Sequence, residues 1–107
     1  MTVEDAGVID IIGTERPSGD VVLTISDHLD WDLCEQHLLT LQEKINCYLA
    51  FIESGEIYDS YPKAHGRGTR IHVAFKHPVI DVAMEFLEKA REVCDSAGIR
   101  LSWKVDL

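Results

Sequence analysis

The sequence predicts an α+β two-layer sandwich: a four- or five-stranded mixed sheet with two helices on one face, in the order β-β-α-β-α-β. Three observations lead there. Short segments alternate apolar and polar residues at period two, two longer segments repeat apolar residues at steps of three and four, and clusters of Gly, Pro, Ser and Asp separate them. Strands that are apolar on one side only need helices over that side and leave the other side open.

The first strand pair is VIDIIGT (Val8 to Thr14) and DVVLTIS (Asp20 to Ser26), joined by ERPSG, whose proline and glycine suit a reversal. Val21, Leu23 and Ile25 share one face of the second strand. Asp30 to Glu53 reads as a long helix with Trp31, Cys34, Leu38, Leu41, Ile45, Tyr48 and Ile52 on its apolar stripe, widened by Leu39, Leu49 and Phe51. Asp32, Glu35, Gln36, Glu43, Lys44 and Glu53 are assigned to its wet side. Asp30 is the expected N-cap, and Gly55 the expected stop.

Ile57, Tyr58 and Tyr61 suggest a fifth short strand or an extended loop, and KAHGRGT (Lys63 to Thr69) an exposed, mobile loop. Arg70 to Lys76 follows as a strand with Ile71, Val73 and Phe75 inward. A second helix opens at Pro78, carries Val79, Val82, Ala83, Phe86, Leu87, Ala90, Val93 and Cys94, and ends at Gly98. The last strand, Ile99 to Leu107, turns Leu101, Trp103 and Val105 inward. Its helical connection from Arg70 predicts that these two strands are parallel.

With 107 residues, 46% of them apolar and 27% charged, the chain suits one globular domain, with residues 1–7 as a loose lead-in. No apolar run approaches the roughly 18 residues of a membrane span. The acidic start MTVEDAGVID has neither the basic nor the apolar region of a secretory signal, so a cytoplasmic location is expected, with no membrane partner. Cys34, Cys47 and Cys94 are odd in number and widely spaced, which points to reduced thiols rather than a disulfide framework.

The net charge of −9 is unevenly spread. Residues 1–62 hold 13 acids against Arg16 and Lys44, whereas residues 63–77 hold Lys63, Arg67, Arg70 and Lys76 with no acid. Free nucleic acid is not an expected partner, since backbone binding needs clustered positive charge without a surrounding acidic surface.

Two clusters are candidates for function. Arg70, His72, Lys76, Arg100 and Lys104 are expected on the open face of the sheet, with Arg67 in the adjoining loop; together they form a cationic surface for an anion or a protein partner. The alternative for these side chains is cross-strand pairing with Asp10 and Asp106. In DHLDWD, Asp27, His28 and Asp30 are the candidate metal ligands, although the spacing fits no established metal loop and capping accounts for Asp30 equally well. There is no nucleophile elbow and no phosphate-binding glycine loop, and no cofactor is expected.

The phrases ISDHLDW and LQEKINCYLAFIESGEIYDSYP, with the strand after them, resemble a family of small bacterial proteins catalogued only as a domain of unknown function, across nearly the whole chain. That resemblance implies a single bacterial domain and no particular chemistry. The functional expectation is a non-catalytic protein-interaction module, self-associating as a homodimer or acting like an immunity or inhibitor protein. The alternative is a small anion-binding or metal-dependent enzyme that joins DHLDWD to the basic segment 65–77.

Overall fold

The computed structural model describes residue 9, residues 11–16 and residues 18–105. The expected lead-in, Val8, and the pairing partners Asp10 and Asp106 lie outside the described residues, as does Leu107. The chain forms β1 (Ile11–Thr14), β2 (Val21–Asp27), α1 (Cys34–Glu53), α2 (Glu56–Ser60), a single 3-10 turn (Pro62–Ala64), β3 (Thr69–Phe75), α3 (Asp81–Ser96) and β4 (Arg100–Val105). Among the described residues this is the expected α+β sandwich with the smaller of the two expected strand counts, four, and with α2 as a short third helix beside the two expected.

The sheet runs β1-β2-β3-β4. The first pair is an antiparallel hairpin, with Ile11 opposite Thr24 and Thr14 opposite Val21. β2 with β3 and β3 with β4 are parallel, because each pair is joined by a helical crossover. The central strands β2 and β3 carry the core: Val21, Leu23, Ile25, Ile71 and Val73 are fully buried, with Leu41, Tyr48, Ile57 and Leu87 packed from the helix side. The hairpin loop closes through Glu15 N–H to Asp20 O (2.8 Å) and Gly19 N–H to Glu15 O (2.8 Å), with Gly19 at φ +77°.

α1 begins at Cys34 rather than at Asp30, and its N-cap is Leu33. The preceding residues are committed to a different turn. The Asp30 carboxylate accepts the Asp32 N–H at 3.1 Å, and the Asp30 carbonyl accepts from the His37 ring. Gly55 ends the helix as expected, at φ +86° with its N–H on Ile52 O.

The buried stripe of α1 is rotated from the expected one. His37, Leu41, Lys44, Ile45, Tyr48 and Leu49 are buried, whereas Leu39 is 60% exposed. Residues 37, 41, 44 and 48 follow one another at steps of four, three and four, so Lys44 lies in the middle of the face that meets the sheet. Its ammonium sits 5.4 Å from the Tyr48 ring centroid, and its aliphatic stem is covered.

Residues 56–60 form a turn of helix where a strand or extended loop is expected. Ser54 Oγ accepts the Glu56 N–H at 3.3 Å, Glu56 places a negative charge at the helix start, and Ile57 anchors the turn in the core with no exposure. The following loop is tied down rather than loose. Ala64 is fully buried, His65 stacks on Tyr58 at 4.4 Å between ring centroids, and Arg67 bonds to two backbone carbonyls. α3 starts three residues after Pro78, and Gly98 follows its end at φ +75°.

All three cysteines are free, and Cys94 is fully buried. Burial raises the Cys94 thiol above its ordinary pKa, and the negative charges of Asp95 and then Glu53 add to the effect. The folded chain therefore favours the protonated thiol. That contribution to stability is present below the ordinary thiol value of about 8.5 and declines as pH rises from there through the folded value. With a thiol-specific chromogenic reagent at mildly alkaline pH, Cys94 is expected to react only after denaturation. Rapid modification of Cys94 in the native protein, mapped by peptide mass, would contradict this packing.

Candidate functional site

Alternation along the central strands gives the sheet two chemically different faces. Val21, Leu23, Ile25 and Asp27 point to the helices, so Val22, Thr24 and Ser26 point away from them. Register then brings the outward residues together. Arg70 lies beside Val22 and Arg100, His72 beside Thr24 and Ser102, and Ala74 beside Ser26 and Lys104. The result is a shallow concavity of about 560 Å³ on the open face, whose lining includes Ile11, Thr24, Arg70, His72, Ser102 and Lys104.

Within it, His72 Nδ1 and Ser102 Oγ form a hydrogen bond at 2.8 Å. Arg70 forms an ion pair with Glu15 from the hairpin loop, and the expected partners Asp10 and Asp106 lie outside the described residues. The Arg70 Nε is buried and has no hydrogen-bond partner among the described residues. Arg100 and Lys104 on the edge strand β4 are exposed.

The expected cationic set is therefore only partly one site. Arg70, His72, Arg100 and Lys104 share the open face. Arg67 lies on the loop before β3, with Nε on Lys63 O and Nη1 on Gly19 O, both at 3.0 Å. Lys76 is beyond the far end of β3, where its backbone N–H meets Asp27 O at 2.9 Å.

The DHLDWD candidates do not converge. Asp27 is the last residue of β2, fully buried on the helix side, and His28 is exposed. Among the described residues no group of three or more His, Cys, Asp or Glu side chains is placed to hold a metal ion. Asp27 accepts the Leu29 N–H on Oδ1 at 3.1 Å and meets the ring of His37, which is 3% exposed. His37 Nε2 lies 2.8 Å and 2.6 Å from the two Asp27 oxygens, and Nδ1 lies 2.9 Å from Asp30 O.

A carbonyl oxygen only accepts, so Nδ1–H donates to Asp30 O, while Nε2 faces both carboxylate oxygens of Asp27. Both ring nitrogens are thus engaged within the fold. Trp31 covers the ring, stacked at 3.8 Å between centroids with 20° between planes, and its Nε1–H donates to Pro78 O at 2.8 Å. The cluster fastens the residue 28–33 turn over the carboxyl ends of the parallel strands.

His37 is the site residue that sequence reasoning missed. Its spacing four before Leu41 on the buried stripe was the available signal. The sheet also separates the two segments that an enzyme would have to combine. They meet where Asp27 O accepts the Lys76 N–H, but the Asp27 side chain faces the helices while Arg70 and His72 face the open side.

No curated protein and no solved structure matches the chain. The family model described as "Family of unknown function (DUF6572)" matches residues 1–107, and the chain belongs to that family, in agreement with the resemblance carried by its central phrases.

Proposed function

We propose that this protein is a non-catalytic, cytoplasmic interaction module that receives an acidic segment of a partner protein on its open sheet face. The observation behind this reading is the alignment of Arg70, His72, Arg100 and Lys104 on one face of a chain whose net charge is −9. Charge of opposite sign on a partner steers encounter and fixes orientation, while the shallow apolar floor of Ile11 and Val22 offers surface to cover. A nucleic acid is the poorer fit, because a net charge of −9 opposes a phosphate backbone and the outward residues in register across β2, β3 and β4 offer a single ring, that of His72. A second copy would have to bring its own acidic helices onto this face, a head-to-tail contact that does not close on itself by two-fold symmetry.

Titration of isotope-labelled protein with an oligoglutamate peptide tests the reading. Amide shifts are expected at His72, Ser102 and Lys104, fading as salt is raised. The double substitution R100E/K104E, at two exposed positions, is expected to weaken binding about tenfold or more, the equivalent of about 1.4 kcal/mol. Shifts that map elsewhere, or affinity unchanged by the reversal, would remove the sheet face as the binding surface. Salt-sensitive self-association by light scattering would reassign the partner to a second copy.

A further inference from the structure

At the end of the sheet where β2 and β3 begin, the hairpin loop and the residue 61–67 segment enclose a second concavity, of about 490 Å³, chemically unlike the sheet face. Arg16, Lys63 and Arg67 line it together with the hydroxyls of Thr14 and Tyr61, which bond to each other at 2.9 Å. The one acid in its lining, Glu15, is directed elsewhere: one carboxylate oxygen accepts from Ser18 Oγ at 3.0 Å and the other is paired with Arg70.

Arg67 is held before any ligand arrives. Its Nε–H and one Nη1–H are spent on the carbonyls of Lys63 and Gly19, which leaves one N–H on Nη1 and two on Nη2 at the outer end of the guanidinium fork. Gly19 is the residue that permits this approach, since a Cβ there would lie 3.2 Å from Arg67 Nη1 and φ is +77°.

We propose that this concavity is an anion site for a phosphoryl dianion. Three cations against one already paired carboxylate suit a ligand of charge about −1.5 to −2 with three acceptor oxygens better than a single carboxylate. The fork of a fixed arginine matches two of those oxygens, and Lys63 and Arg16 supply the balancing charge. The site is separate from the sheet-face reading and stands or falls without it. Free phosphate monoesters and a phosphorylated side chain of a partner present the same chemistry.

Inorganic phosphate is titrated against chloride at matched ionic strength, following amide shifts and thermal unfolding. Shifts centred on Gly19, Tyr61 and Arg67, with a higher melting temperature in phosphate, are expected. R67Q is expected to weaken binding about tenfold or more. Because Arg67 also ties two backbone segments, the double variant R16Q/K63Q at exposed positions serves as the second test and is expected to weaken phosphate binding while leaving the melting temperature in chloride unchanged. R100E/K104E should leave phosphate binding intact.

A phosphoserine peptide that binds more tightly than inorganic phosphate would support the site and assign it to a modified partner; equal affinity would support it and assign it to free phosphate monoesters. Phosphate effects no larger than those of chloride, or phosphate binding undiminished in R16Q/K63Q, would overturn the proposal.

Discussion

Substituting His37 by alanine is expected to remove about 3–5 kcal/mol of stability, because the fully buried Asp27 carboxylate loses the Nε2 that meets both its oxygens, while it keeps the Leu29 N–H on Oδ1. The same change leaves Asp30 O without the Nδ1–H and Trp31 without the ring it stacks on. Against a typical domain stability of about 5–15 kcal/mol, the variant should sit close to the unfolding threshold. Urea unfolding gives the number. The double variant D27L/H37L separates the worth of the pair from the cost of breaking it, since replacing both members by apolar groups removes the uncompensated charge; it is expected to be more stable than H37A. A loss below about 1 kcal/mol in H37A would mean that water reaches Asp27 and that the fastening described above is not sealed.

Phe75→Ala is expected to cost a comparable 3–5 kcal/mol. Phe75 is 1% exposed, lies beside Asp27 in the β2–β3 register, and holds the Trp31 ring at 6.0 Å between centroids. Its removal opens a void at the end of the core and withdraws support from the residue that covers His37. Two readouts are therefore expected to move together: the unfolding free energy, and hydrogen exchange at the Trp31 indole N–H, which is bonded to Pro78 O. Faster exchange without destabilisation would show that Phe75 serves the turn and not the core, whereas destabilisation with unchanged exchange would show the reverse.

Much of this fold was legible because the inward positions repeat. The period-two runs at 21–25 and 71–75 and the glycines at 55 and 98 placed the central strands and the helix ends within a few residues, and the crossover from Arg70 to Ile99 implied the parallel pairing of β3 with β4, whereas the parallel pairing of β2 with β3 was not legible. The same reasoning put Arg70, His72, Arg100 and Lys104 on the open face, where register indeed gathers them. It failed where residue type was taken as a guide to direction. Lys44 was assigned to water and Leu39 to the core, and the helix does the opposite, because the position of a side chain on a cylinder is set by its neighbours' spacing rather than by its own polarity.

What the sequence by itself determined is the α+β class, the inward face of each central strand and the uneven distribution of charge, all of which are local or periodic properties. Only the tertiary structure decided which polar groups meet. The link between Asp27 and His37 spans ten residues, and that between Arg67 and Gly19 spans forty-eight. The first depends on how the residue 28–33 turn brings the start of α1 back to the end of β2, the second on where the chain returns after α1 and α2, and no local pattern encodes either. For the same reason DHLDWD, which looked like one acidic cluster, is divided in space: its first aspartate is sealed beneath the helices and its histidine is left outside.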